Sequence, residues 1–169
     1  MLPNVVTNGN ALTPEKISEI AEKGLFNTVI FSLDGPENVH DFMRGRKGAF
    51  NKAFAAMKAF QKLKALKKLR YPRIFVYSTV SKLNYRHLEA VYRTAKSVNA
   101  NKLRFQLASS INEKLMAETN EALGFEGLKT HSYLNELGMS PEELEKAKKS
   151  IRKIKNLAHG GMRLETESV

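Results

Sequence analysis

The sequence contains no cysteine. That excludes disulfides, a thiol nucleophile and any metal site built on thiolates, and it is compatible with a reducing compartment. The four histidines, His40, His87, His131 and His159, are scattered without ligand spacing, so a histidine metal site is not expected. No apolar run approaches the roughly 18 residues of a membrane span. The opening Met1-Leu2-Pro3-Asn4 lacks a basic segment leading into a long apolar one, so no signal peptide is expected either. No phosphate-binding loop, Ser-His-Asp order or nucleophile elbow occurs, and no internal repeat, low-complexity tract or linker interrupts the chain. With 169 residues and 42% hydrophobic content the chain can bury a real core. The expectation is one cytoplasmic domain over residues 1–169.

Positive charge is what the sequence has in excess: 28 Lys and Arg against 17 Asp and Glu, a net charge of +11. It concentrates between Lys58 and Arg73 and again between Lys146 and Lys155. Both runs fall on the solvent side or in the last turn of expected helices, where the helix dipole favours each cation by about 0.3–1 kcal/mol. Solvated helix faces therefore account for them. The alternative is a basic binding module that contacts nucleic acid or an acidic partner. The Lys58–Arg73 segment shows no interleaved aromatic platform of the kind single-stranded nucleic-acid binders use, so nucleic acid is the weaker partner.

Apolar periodicity alternates along the chain between strand and helix. Val5-Val6-Thr7 reads as a strand, and Thr13-Pro14 opens a helix with Ile17, Ile20 and Ala21 inward and Gly24 at its end. Thr28 to Ser32 is a continuous β-branched and aromatic run, as in a strand covered on both faces. A loop from Asp34 to Lys47 leads to a long helix from about Ala49 to Leu69, with Phe50, Phe54, Met57, Phe60 and Leu66 near one face. Ile74 to Val80 is a strand, Tyr85 to Val98 a helix capped by Asn84, and Lys102 to Leu107 another strand. Beyond Leu107 the expectation is a helix from Ile111 to Leu123, a turn-bounded segment from Tyr133 to Gly138, and a capping-box helix from Ser140-Pro141 to Leu157. That last helix has Leu144, Ala147, Ile151 and Ile154 on one side, and Met162 to Thr166 starts a final strand. Such alternation implies an α/β fold of about four to five parallel strands with outer helices. Residues 1–107 form the βα core and residues 108–169 a helical extension. Pattern alone fits an open doubly wound sheet or an arc of a barrel equally.

Two of the expected strands end in small polar residues and a glycine. One is Val5-Val6-Thr7-Asn8-Gly9; the other is Ser32-Leu33-Asp34-Gly35-Pro36, followed by His40-Asp41 and Arg44-Gly45. In α/β barrels the C-terminal strand ends hold ligands. Each piece alone is an ordinary turn. Their order and spacing together resemble the third and fourth strands of radical S-adenosylmethionine (SAM) enzymes, over about Val5 to Leu107. The S-L-D-G…H-D…R-G version is most similar to the branch with SPASM-type cluster domains, which modifies peptides and proteins.

The resemblance implies a partial (βα)6 barrel lacking its first two strands, with SAM as cofactor. It implies that Thr7 and Asn8 line the SAM site and that Ser32 reaches the ribose or methionyl end. Asp34 follows in the same turn, and Arg44 pairs with the SAM carboxylate. The full-length parent is expected to cleave SAM reductively with a [4Fe–4S] cluster, giving a 5′-deoxyadenosyl radical that acts on a peptide or protein. The sequence departs from the family in lacking the cluster cysteines and the G-G-E element of the second strand, so it offers no catalytic residue. The chain is therefore expected to be a fragment of such an enzyme, inactive alone, with edge strands that favour self-association.

Overall fold

A computed structural model describes residues 2–108, 121–122, 138–158 and 161–166 of the chain. Five parallel strands form one sheet in the order β1-β2-β3-β4-β5: Asn4–Thr7, Thr28–Ser32, Arg73–Val80, Lys102–Leu107 and Arg163–Thr166. Helix α1 (Pro14–Glu22) joins the first pair of strands, and α2 (Glu37–Met43) with α3 (Ala49–Lys67) the second. A 3-10 turn (Tyr85–His87) and α4 (Leu88–Ser97) join the third pair, and α5 (Pro141–Leu157) precedes β5. Each strand lies beside its predecessor in sequence. A doubly wound sheet would reverse order at a switch point, so the consecutive order decides for an arc of a barrel.

Burial shows which side the helices cover. Along β3, Ile74, Val76, Ser78 and Val80 are buried, whereas Arg73, Phe75, Tyr77 and Thr79 keep contact with solvent. The buried side packs Phe31, Ile74, Val76, Leu103 and Phe105 against Met57 and Phe60 of α3, Leu88 and Val91 of α4, and Ile151 and Ile154 of α5. The other side carries no helix among the described residues and forms an open face along β3, although Thr28 and Ile30 of β2 are buried there. Helix ends follow their local chemistry: the Thr13 hydroxyl accepts from Lys16 N–H, and Ser140 and Glu143 complete the capping box of α5.

Two expectations need correction. The segment expected as a loop from Asp34 to Lys47 contains α2, a seven-residue helix whose one buried side chain is His40. It carries no apolar stripe for periodicity to detect. Leu66, placed near the inward face of α3, is 75% exposed. It lies nine residues beyond Met57, about 180° around a helix of 3.6 residues per turn. The helix expected from Ile111 to Leu123 and the segment expected from Tyr133 to Gly138 lie outside the described residues, except for residues 121–122 and Gly138. Among the described residues no helix is long and apolar enough to cross a membrane.

Candidate functional site

The loop after β2 is built around a buried carboxylate. Asp34 is 3% exposed, and its Oδ2 lies 2.6 Å from Nη2 of Arg44. Arg44 stays a third exposed, so water screens its outer edge, and the pair orients the guanidinium more than it stabilises the fold. His40 is fully buried; its Nδ1 accepts the Asp34 N–H at 3.2 Å and lies 3.6 Å from Asp34 Oδ2. With Nδ1 as acceptor, that network assigns the ring proton to Nε2, which has no hydrogen-bond partner among the described residues. The ring meets Phe50 edge-on at 6.2 Å.

Neighbouring side chains hold this loop in place. Asp41 Oδ1 accepts from the Phe50 N–H at 2.8 Å and Oδ2 from the Gly48 N–H, which supplies the first turn of α3 with the acceptor that Gly48 lacks. Those backbone bonds, Phe50 first, hold the Asp41 carboxyl below its ordinary range against an opposing effect of burial. Asn84, expected as a helix cap, makes no cap bond. Its Nδ2 instead donates to Asp34 O at 2.8 Å and Thr79 O at 2.9 Å, while Oδ1 accepts the Ser81 N–H at 2.8 Å. One buried amide thus ties the end of β3 to the loop after β2.

At the end of β1, side chains build the turn. Thr7 Oγ1 accepts the Gly9 N–H at 3.0 Å, and Asn8 Oδ1 accepts the Asn10 N–H at 3.0 Å. Gly9 takes φ +79°, and a Cβ there would lie 2.7 Å from the Ala53 Cα, so only glycine lets the turn close on α3. Thr7 pairs with Phe31 and so shares the helix-covered side. The strand alternation then carries Asn8 toward the side of Ser32, on the open face. The structure brings Asp34 and Arg44 into contact and aligns Asn8 with Ser32 on adjacent strand ends; Thr7 points the other way by parity. A hollow of about 280 Å³ between α1 and α3 is lined by Gly9, Leu12, Ile17 and Ala56 among others, and by none of the five expected site residues.

Some residues escaped the sequence reading. His40 passes for a local loop residue because nothing in its neighbourhood announces burial. The open face carries two cross-strand rows, Ile30-Phe75-Lys102-Arg163 and Ser32-Tyr77-Arg104-Glu165. The available signal was alternation of charged with apolar residues in β4 (Lys102, Arg104 against Leu103, Phe105).

The donor set does not fit an iron–sulfur cluster. There is no cysteine, and among the described residues no group of three His, Asp or Glu converges on a metal position. Hydrogen bonding to a nucleoside is different: neither Ser32 Oγ nor Asn8 Nδ2 has a hydrogen-bond partner among the described residues. Both are free to meet a ribose or an amide-accepting ligand edge. The charge of Arg44 is already matched by Asp34.

No protein-family model and no curated protein sequence matches the chain. Solved structures do. SuiB of Streptococcus suis bound to precursor peptide SuiA aligns over 98% of this chain and 31% of its own, with a TM-score of 0.63 and 11% identity. anSMEcpe with bound AdoMet aligns over 97% of this chain and 40% of its own, at a TM-score of 0.65 and 19% identity. The same enzyme with AdoMet and Kp18Cys peptide gives 0.61 and 18%, over 96% and 40% of the two chains. The chain thus spans about a third to two-fifths of the length of these structures. Its five consecutive parallel strands, their outer helices and the alignment over nearly the whole chain give it the fold of a partial radical SAM barrel.

Proposed function

We propose that this chain supplies part of the SAM-binding wall of a radical SAM enzyme that acts on a peptide. The observation that carries this reading is the placing of Asn8 and Ser32, both with unmet hydrogen-bonding capacity, on adjacent strand ends of this fold. Ser32 would accept or donate to the ribose of SAM and Asn8 would donate to the same ligand. Thr7 would act through the turn it closes with Gly9. Arg44, one-third exposed and held by Asp34, would meet the SAM carboxylate with the N–H groups that this ion pair does not use. The structural neighbours support both cofactor and substrate class, since they were crystallised with SAM and with peptides.

In this reading residues 1–107 carry the site, and residues 108–169 complete one domain with β5. The electron for SAM cleavage has no source among this chain's residues, so the chain alone would bind SAM without cleaving it. The parallel edges at β1 and β5 would then be the surfaces through which it associates.

Calorimetric titration with SAM tests the site. Losing one hydrogen bond to the ligand costs about 1–1.5 kcal/mol, so Ser32→Ala and Asn8→Ala should each weaken binding about tenfold. No saturable SAM binding by the wild-type chain at millimolar concentration refutes the reading. Anaerobic incubation with iron, sulfide, reductant and SAM should give no 5′-deoxyadenosine; appreciable product would refute the inactivity of the chain alone.

A further inference from the structure

Resting on that reading, we infer that the open face of the sheet recognises an acidic side chain of the peptide substrate, its carboxylate held among Arg73, Lys102 and Arg163. These three cations open strands β3, β4 and β5, and the register places them around Phe75: Phe75 pairs with Lys102, and Lys102 with Arg163. They converge on a hollow of about 250 Å³ whose walls also include the amides of Asn27 and Asn101. Lys102 Nζ sits 4.7 Å from the centre of the Phe75 ring and the Arg73 guanidinium 5.8 Å from it, so the ring stiffens both cations without neutralising them.

The face already holds one carboxylate. A single oxygen of Glu165 accepts from Lys102 Nζ at 2.9 Å and from Arg163 Nε at 3.0 Å, and that contact, led by the Lys102 hydrogen bond, keeps the Glu165 carboxyl below its ordinary range. Among the described residues three cations face this one anion, with Lys102 largely buried and Arg73 and Arg163 exposed at the rim of the hollow, and the excess positive charge attracts a second carboxylate. The rings do not form a bare platform for nucleobases: Phe75 carries Lys102 and Arg73, and Tyr77 carries Arg104 at 5.4 Å. That favours carboxylates over bases.

The geometry also sets a distance. Ser32 pairs with Tyr77, four residues along β3 from Arg73, which is about 13 Å at 3.3 Å per residue. An extended peptide would place its acidic residue about four positions from the residue presented at Ser32.

The test is fluorescence anisotropy with a labelled nine-residue peptide bearing Glu at alternate positions, its Gln counterpart and a single-stranded oligonucleotide. At 50 mM salt the Glu peptide should bind at least tenfold tighter than the Gln peptide, and Arg73→Gln and Arg163→Gln should each weaken it about fivefold. Lys62→Ala, a charge removed from the outer surface of α3, should leave it unchanged. Glu165→Gln should tighten it severalfold, a gain that a damaged fold does not produce. Equal binding of the two peptides, no gain with Glu165→Gln, or tighter binding of the oligonucleotide overturns the inference. SAM titration of the same samples separates the two readings: SAM binding without a Glu preference removes only this one, whereas no SAM binding removes the site it rests on.

Discussion

Replacing Asn84 by Ala should be among the most damaging single changes available in this chain. The residue is fully buried and its side chain satisfies three backbone groups: the carbonyls of Asp34 and Thr79 and the N–H of Ser81. Truncation leaves each without its partner, and a buried unsatisfied polar group costs about 1–3 kcal/mol. Taking the lower half of that range, because the neighbouring loop relaxes and admits some water, the total comes to about 4 kcal/mol. With a urea dependence of about 2 kcal/mol per molar, the unfolding midpoint should fall by about 2 M. Urea titration followed by circular dichroism measures this directly. Asn84→Asp is the companion variant: it retains the acceptor for Ser81 but sets a carboxylate oxygen against two carbonyls, so it should be at least as unstable. A midpoint shift below 0.5 M for Asn84→Ala (about 1 kcal/mol by the same slope) would refute the claim that this amide joins β3 to the loop after β2. SAM affinity should fall in parallel, since that loop follows Ser32 and carries Asp34.

Gly9→Ala should cost about 2–4 kcal/mol, combining left-handed backbone strain with the 2.7 Å approach to Ala53 Cα. Thermal unfolding should register this as a Tm lower by about 6–12 °C. Gly24→Ala shares a positive φ of 60° but meets nothing within 4 Å, so its Tm should fall only about 3 °C. Asp41 and Glu165 both have folded-state values below their ordinary 3.8 and 4.5. Their stabilising effect is therefore complete above about pH 5 and is lost as the pH falls through the lowered values. Urea midpoints should be flat from pH 7 to 5 and drop below about 4.5, and Asp41→Asn should reduce that acid loss.

Much of this architecture was written in short stretches of sequence. The β-branched run Thr28 to Ser32, the capping box at Ser140 and Glu143, and the turn glycine after Asn8 each act within a few residues. They announce themselves without a fold. The seven-residue α2 was invisible because its buried residue is a histidine, whose Nδ1 accepts an N–H six positions earlier in the chain. Asn84 was misjudged for a related reason: at a helix start its usual work is capping, and here its partner Asp34 lies 50 residues away.

By itself, the sequence determined the parallel α/β class, the glycine-bearing strand ends and the absence of any thiolate for a cluster. Tertiary structure alone decided that the strands run in consecutive order, that Asp34 is buried against Arg44, and that Arg73, Lys102 and Arg163 meet on one open face. Local periodicity reflects backbone geometry over a turn or a strand. Register across strands is set by how helices pack on the sheet, and it joins residues tens of positions apart.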